Sequence, residues 1–248
     1  MEYIYQNKIV HYELEGIGPP IILLHGWGQS IKTFSYLRKK LSSSHTVYSI
    51  NLPGFGQSEE PFNFYTLQDY KNLLYEFVKD NNIISPVVIG HSFGGRIALK
   101  YATEDVNIKK LILISSAGVK PHDKFKSKCK IFIYKLKKKY FKITKNIVRY
   151  NLLVENSGSY DYKNASPVMK KTLISVVNTY LDKELKNIKC PTLLIWGKND
   201  TVTPVKDAYK IKRKIKHAKL ILIEGAGHFS YLDSKRYVSK LISDYIGG

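Results

Sequence analysis

The chain is poor in cysteine, with only Cys129 and Cys190 in 248 residues. That pair forms neither a metal-ligand spacing nor a disulfide framework, so a stapled secreted scaffold is not expected and a reducing cytoplasm is. Acidic residues are scarce too, with 20 Asp and Glu against 40 Lys and Arg and a formal net charge of +20. No apolar run approaches the ~18 residues that a membrane-spanning helix needs. The opening Met-Glu-Tyr-Ile-Tyr-Gln-Asn-Lys lacks a basic segment followed by an apolar one, so no signal peptide is expected. There is no internal repeat and no disordered linker.

What the chain does have is a rhythm. Short apolar runs at 21–24, 46–51, 87–89, 111–114, 191–196 and 220–223 read as buried strands. Between them lie amphipathic stretches, among them 31–41 with Phe34, Leu37 and Leu41 at helical spacing, and one with Leu73, Leu74, Phe77 and Val78 on one face. Buried strands alternating with such helices predict an α/β fold, a mostly parallel sheet flanked by helices. A starting hairpin is expected around Gln6-Asn7. Thr66-Leu67-Gln68-Asp69 has the form of a capping box, and Thr203-Pro204 that of an N-cap with Pro at the first helical position. A last helix is expected from about 230 to 246.

The rhythm stops at Gly118. From there to 185 no strand is evident, and the stretch reads as helices inserted in one domain, with 1–117 and 186–248 as the core. Within the insertion, 151–167 reads as polar and turn-prone and 168–181 as helical. Between Lys120 and Arg149 stand twelve Lys or Arg and one acid, Asp123, interleaved with Phe125, Ile131, Phe132, Tyr134, Leu136, Tyr140 and Phe141. Charge of this sign attracts nucleic acid, anionic lipid or acidic substrates. No nucleic-acid-binding motif is present, however, and most of the Lys is scattered as a skewed composition would leave it. The lysines are expected to form the solvated outer faces of the inserted helices, with Phe, Tyr and Ile covering the site; the alternative is that they draw an anionic membrane surface or acidic substrates toward the pocket.

The chemistry centres on Gly90-His91-Ser92-Phe93-Gly94, directly after the 87–89 strand and before a helix bearing Ile97, Ala98 and Tyr101. Strand, Gly-flanked Ser and helix make a nucleophile elbow. The turn strains the serine backbone, and the residues two places before and after must be nearly free of side chain for strand and helix to approach. A serine hydroxyl is a poor nucleophile until a base, usually His, takes its proton under the control of a carboxylate. In a parallel sheet the loops at the strands' carboxyl ends share one edge. Asp200 follows the 191–196 run and His228 the 220–223 run, so Ser92, Asp200 and His228 are candidates for one site. Their order along the chain is that of the α/β-hydrolase triad. His91 is expected to point away from the nucleophile, and His11, His45, His122 and His217 lie outside comparable loops.

With these motifs, and with His25-Gly26-Trp27-Gly28, Leu52-Pro53-Gly54-Phe55-Gly56-Gln57-Ser58, Trp196-Gly197-Lys198-Asn199-Asp200 and Gly225-Ala226-Gly227-His228-Phe229, the chain resembles the α/β-hydrolase superfamily over nearly its full length. It is most similar to the single-domain branch with a helical cap, which holds esterases, lactonases, carbon–carbon bond hydrolases and cofactor-free haloperoxidases. The resemblance implies that 118–185 is the cap and that the backbone N–H groups of Trp27 and Phe93 form the oxyanion hole. It implies acyl transfer to Ser92 on a small-molecule substrate, with no metal or organic cofactor required. Asn51 departs from the Asp usual before Leu-Pro-Gly, and a local structural effect is expected there. Hydrolysis of a carbon–carbon bond, a related lyase reaction and a catalytically silent ligand-binding role stay open as alternatives. Dehalogenase and epoxide hydrolase relatives carry Asp where this chain has Ser92.

Overall fold

The structure is a computed structural model and describes residues 1–104, 107–121, 134, 136–144, 146, 147, 149 and 159–247. Two residues of positive φ, Gln6 (49°) and Asn7 (59°), turn the chain between β1 (Glu2–Tyr5) and β2 (Lys8–Glu15), which pair antiparallel. A two-residue loop with both φ positive matches the twist of the strands that it joins. Next come β3 (Pro20–Leu24), α1 (Ser35–Leu41) and β4 (Thr46–Ile50), with β2 antiparallel to β4 and β3 parallel to it. The chain goes on through α2 (Leu67–Asp80), β5 (Val87–His91), α3 (Phe93–Ala102) and β6 (Lys110–Ile114).

Of residues 118–185, the described part holds a helical stretch over 136–143, α4 (Tyr160–Asn164) and α5 (Pro167–Val177), and no strand. The rest is β7 (Thr192–Gly197), α6 (Val205–Lys214), β8 (Ala218–Ile223), α7 (Ser230–Asp233) and α8 (Lys235–Gly247). The eight strands lie in the order β1-β2-β4-β3-β5-β6-β7-β8, and β3 to β8 all run parallel. This is the expected α/β class. The chain leaves β3 toward β4, then crosses to β5 on β3's other side, so the crevice where strand order reverses opens between β3 and β5.

The strands alternate their apolar side chains between two cores. Ile22, Leu24, Val88, Leu111 and Leu113 face α2 and α3 with Leu73, Leu74, Phe77 and Ile97. Ile21, Leu23, Val87, Ile89 and Ile112 face α1, the turn just before it and α8, with Phe34, Leu37, Val238 and Ile242. Cutting a fully buried Leu73 or Phe77 to Ala would cost ~2–5 kcal/mol, because such sites collapse only partly. At the start of α2 both halves of the capping box form, with Thr66 N–H donating to Asp69 Oδ2 at 2.7 Å and Asp69 N–H to Thr66 Oγ1 at 3.3 Å.

Several expectations are corrected. Residues 31–34 form a 3₁₀ turn before α1, where Asn51 Oδ1 accepts from Ile31 N–H at 3.0 Å. Thr203 caps no helix: α6 starts at Val205 without a side-chain cap, and the Thr203 hydroxyl lies 3.0 Å from Ser115 O and 2.9 Å from Asp200 Oδ2. The last helix breaks at Ser234 (φ −125°), after Asp233 has accepted from Gly227 N–H. In the stretch read as turn-prone, Ser159 caps α4 through Tyr162 N–H at 3.2 Å; residues 151–158 lie outside the described ones. Phe125, Ile131, Phe132, His122, Asp123 and Cys129 also lie outside. Of the apolar residues expected to cover the site, Leu136 and Tyr140 instead stand out into solvent. Among the described residues, the apolar face of the helix that carries them stands exposed.

Candidate active site

The elbow folds as its glycines require. Ser92 has φ 50° and ψ −108°, and its peptide is held by Ser92 N–H to Ile114 O at 3.1 Å and by Ala117 N–H to Ser92 O at 3.0 Å. A methyl group on Gly90 would meet Gly94 O at 2.5 Å, and one on Gly94 would meet Leu24 O at 2.0 Å. Any larger residue at either place would push β5, α3 and β3 apart. The strain at Ser92 is tolerated because strands and helix over-determine the turn.

Three sheet-edge loops converge on this serine. His228 Nε2 lies 3.0 Å from Ser92 Oγ, and His228 Nδ1 lies 2.9 Å from Asp200 Oδ2. The Asp200 side chain is shut off from solvent, and His228 is only slightly open. Oδ1 of Asp200 accepts from Val202 N–H and Thr203 N–H, both at 2.9 Å, while Oδ2 lies within reach of His228 and the Thr203 hydroxyl. Burial by itself pushes this carboxyl up. The hydrogen bond and charge of His228 and the Thr203 donors outweigh it, leaving Asp200 below the usual aspartate value. Trp196, fully buried, donates Nε1–H to Thr203 O at 2.7 Å and pins the same loop.

Two other histidines serve the site from beneath. His25 is fully buried: Nδ1–H donates to Gly26 O at 2.8 Å and Nε2 accepts from Leu52 N–H at 3.0 Å. Burial lowers its pKa to about 4, so the ring stays neutral as a strut between the loops after β3 and β4. His91, expected to point away, does leave the nucleophile's side of the turn but turns back under His228. Its Nε2–H donates to His228 O at 3.1 Å, and its ring centroid lies 4.9 Å from that of His228. Burial, then the neighbouring His228, lowers it to about 3. Neither strut nor the task of Thr203 is legible in the sequence. The only signal for His91 was its place beside Ser92, and that says nothing of its rotamer. Asn51 has the expected local effect, joining Ile31 N–H at 3.0 Å and His11 Nδ1 at 3.2 Å.

A cavity of about 380 Å³ opens over Ser92, lined by Trp27, Phe93, Leu173, Val176 and Val177 among others. A second, also about 380 Å³, shares Trp27 and Asp161 with it and adds Gly28, Gln29, Glu60 and Ser166. Trp27 packs edge-on against Phe55 (4.8 Å) and Phe93 (5.3 Å), forming an aromatic wall between the two. Arg96 ties α3 to the end of α5 through Nη1–H to Val176 O and, at 3.0 Å, to Thr179 O; burial lowers its pKa to about 10. A larger open groove of about 1000 Å³ lies between α1 and α8, lined by Lys39, Lys40, Lys235, Arg236 and Lys240, and it includes none of the residues around Ser92. Among the described residues no group of His, Cys, Asp and Glu has the arrangement of a metal site, and no helix is long and apolar enough to cross a membrane.

A parallel sheet whose edge carries a strained serine beside a histidine and a buried aspartate defines the α/β hydrolases as a class. A model of the alpha/beta hydrolase family matches residues 21–240, and the chain belongs to that family of enzymes. The AB hydrolase superfamily protein YisY of Bacillus subtilis is 30% identical over 93% of this chain and 92% of its own. A pimeloyl-[acyl-carrier protein] methyl ester esterase of Nitrosomonas europaea is 25% identical over 90% of this chain and 94% of its own. Among solved structures, an esterase from Exiguobacterium antarcticum superposes with a TM-score of 0.78 at 23% identity, covering 97% of this chain and 96% of that one. The protein is thus a hydrolase with esterases among its homologues.

Proposed function

We propose that the protein is a serine hydrolase that cleaves a carboxylic ester, or a similar acyl bond, of a small molecule through an acyl-enzyme. The observation that carries this reading is the line of contacts Ser92 Oγ to His228 Nε2 (3.0 Å) and His228 Nδ1 to Asp200 Oδ2 (2.9 Å). Ser92 Oγ attacks the carbonyl carbon while its proton passes to His228 Nε2. Asp200 accepts from Nδ1–H, which fixes the tautomer and stabilises the imidazolium. The oxyanion is held by the backbone N–H groups of Phe93 and Trp27. Phe93 opens α3, so its N–H has no acceptor within the helix, and donors of this kind are each worth ~3 kcal/mol of barrier. His228 returns the proton to the leaving oxygen, and a water activated by the same ring then releases the acid.

The acyl part stays bonded to Ser92 until water arrives, so it takes the cavity that contains Ser92. Leu173, Val176 and Val177 make that cavity suited to an aliphatic chain. The leaving part takes the second cavity, across Trp27. Residues 118–185 act as the cap, with α5 forming one wall and Arg96 holding it down. No step calls on a metal or organic cofactor.

The experiment is hydrolysis of p-nitrophenyl esters of graded acyl length, with Ser92→Ala alongside. Turnover by the wild type and none by the variant is the expected result, with a rate optimum reporting cavity depth. An enzyme inert to every ester, yet labelled by a fluorophosphonate, would move carbon–carbon bond cleavage ahead. Absence of labelling would favour a silent binding role.

A further inference from the structure

The helical stretch 136–143 breaks the rule that apolar side chains on a surface helix face a core. Leu136, Tyr140 and Ile143 recur at i, i+4 and i+7, which sets them on one face. All three stand in solvent, at 51, 62 and 70% exposure, and Ile147, past the turn at Thr144, is 70% exposed as well. At 100° per residue, Lys137 and Lys139 fall on either side of this stripe, and Lys142 lies beyond Lys139; all three are exposed. The half-buried Phe141 belongs to another face. Scattered exposed apolar residues are ordinary, but a continuous stripe between cations is not.

We propose that this face is a docking surface for an anionic lipid bilayer, with Leu136, Tyr140 and Ile143 entering the interface and Lys137, Lys139 and Lys142 meeting the head groups. The choice of partner rests on charge complementarity and shape. A stripe flanked by lysines fits a surface that is apolar below and negative above, which a bilayer is and an apolar protein groove is not. The +20 net charge adds long-range attraction to such a surface. A second copy of the chain would bring like charges together along the whole stripe. The basic groove between α1 and α8 is concave and, apart from Tyr36, lined by polar side chains, so a flat surface engages it less well. Because the stripe belongs to the segment that the proposed function reads as the cap, docking there brings the protein's cavities close to amphiphilic substrates. The docking itself does not depend on what Ser92 does.

The test is flotation of the full chain with mixed phosphatidylglycerol–phosphatidylcholine vesicles against pure phosphatidylcholine vesicles, at low and high salt. The expected result is binding to the anionic vesicles that weakens with salt. Leu136→Ser/Tyr140→Ser/Ile143→Ser and, separately, Lys137→Glu/Lys139→Glu/Lys142→Glu should each lower that binding by about tenfold or more. Turnover of a water-soluble ester, or fluorophosphonate labelling, should be unchanged in both. No binding by the wild type overturns the proposal. So does undiminished binding by the serine triple variant, or loss of binding only on reversing Lys39 and Lys235. If sedimentation instead shows a wild-type dimer that the serine variant abolishes, the stripe is an interface between copies and the lipid reading fails.

Discussion

Two aspartates near Ser92, Asp200 behind His228 and Asp161 on the wall of the cavity over the serine, live in opposite surroundings. Asp200, on the sheet edge, is closed to solvent, receives two backbone N–H donors and lies against His228 and Thr203, and sits below its usual pKa. Asp161, on α4, is exposed, shows no ion pair among the described residues, and is pushed up by partial burial alone. The same contrast holds for the regions. At the edge each loop is tied to two or three others, so side chains from distant sequence are held to hydrogen-bonding distance. Residues 159–185 are anchored on the core through buried Met169, Thr172, Val176 and Leu181 and through Arg96, whereas the helical stretch 136–143 turns part of its apolar surface outward. Pre-organisation is concentrated where charge must be stabilised.

The largest effects should come from the edge. Ser92→Ala or His228→Asn should cost on the order of 10⁵-fold or more in kcat, and Asp200→Asn about 10⁴-fold, with little change in KM. Wild-type-like turnover in any of them would remove the triad. Next is Arg96→Met, which takes the side-chain donor from Thr179 O and from Val176 O, the latter keeping Thr179 N–H, and should cost ~1–3 kcal/mol in chemical denaturation, raising KM more than it lowers kcat. If KM is unmoved, α5 is not held over the cavity by this residue. His91→Leu should lower kcat by about tenfold, while His91→Gln, which keeps a donor toward His228 O, should recover most of it. Equal loss in both would mean that the ring only fills space.

A smaller effect separates the buried histidines from the rest. His25 and His91 titrate near 4 and 3 in the folded protein, against ~6.5 when unfolded. The unfolded chain therefore binds protons that the folded one refuses. Their contribution to stability is complete above pH ~6.5 and is lost as pH falls toward the folded values, by up to ~1.4 kcal/mol per unit for each ring. Denaturation midpoints measured from neutral pH down to about 5 should fall, and less steeply in His91→Gln; an unchanged slope would mean that His91 is protonated in the fold. The smallest effect is expected of Asp161→Asn, within about twofold on neutral esters, because an exposed carboxylate is well screened.

Much of this was legible beforehand because it is locally coded. Buried strands carry their own β-branched runs, the elbow needs Gly90 and Gly94 whatever surrounds it, and parallel strands oblige the loops of Ser92, Asp200 and His228 to share an edge. Thr203 shows where local reading ends. Thr before Pro ahead of a helix favours an N-cap, yet the hydroxyl serves Asp200 and Ser115, because a buried carboxylate and carbonyl offer stronger partners than a helix end open to water. The break at Ser234 and the 3₁₀ start at Ile31 have the same origin: Asp233 and Asn51 are engaged by other loops.

The amino-acid pattern by itself determined the fold class, the family and which serine, histidine and aspartate could meet, since periodicity and strand direction act through neighbours along the chain. Only the tertiary structure decided that His91 supports His228, that Thr203 faces Asp200, that Trp27 divides two cavities and that Leu136, Tyr140 and Ile143 face outward. Those outcomes depend on which groups compete for the same donor or the same space, and the competitors are brought together only when the sheet has formed.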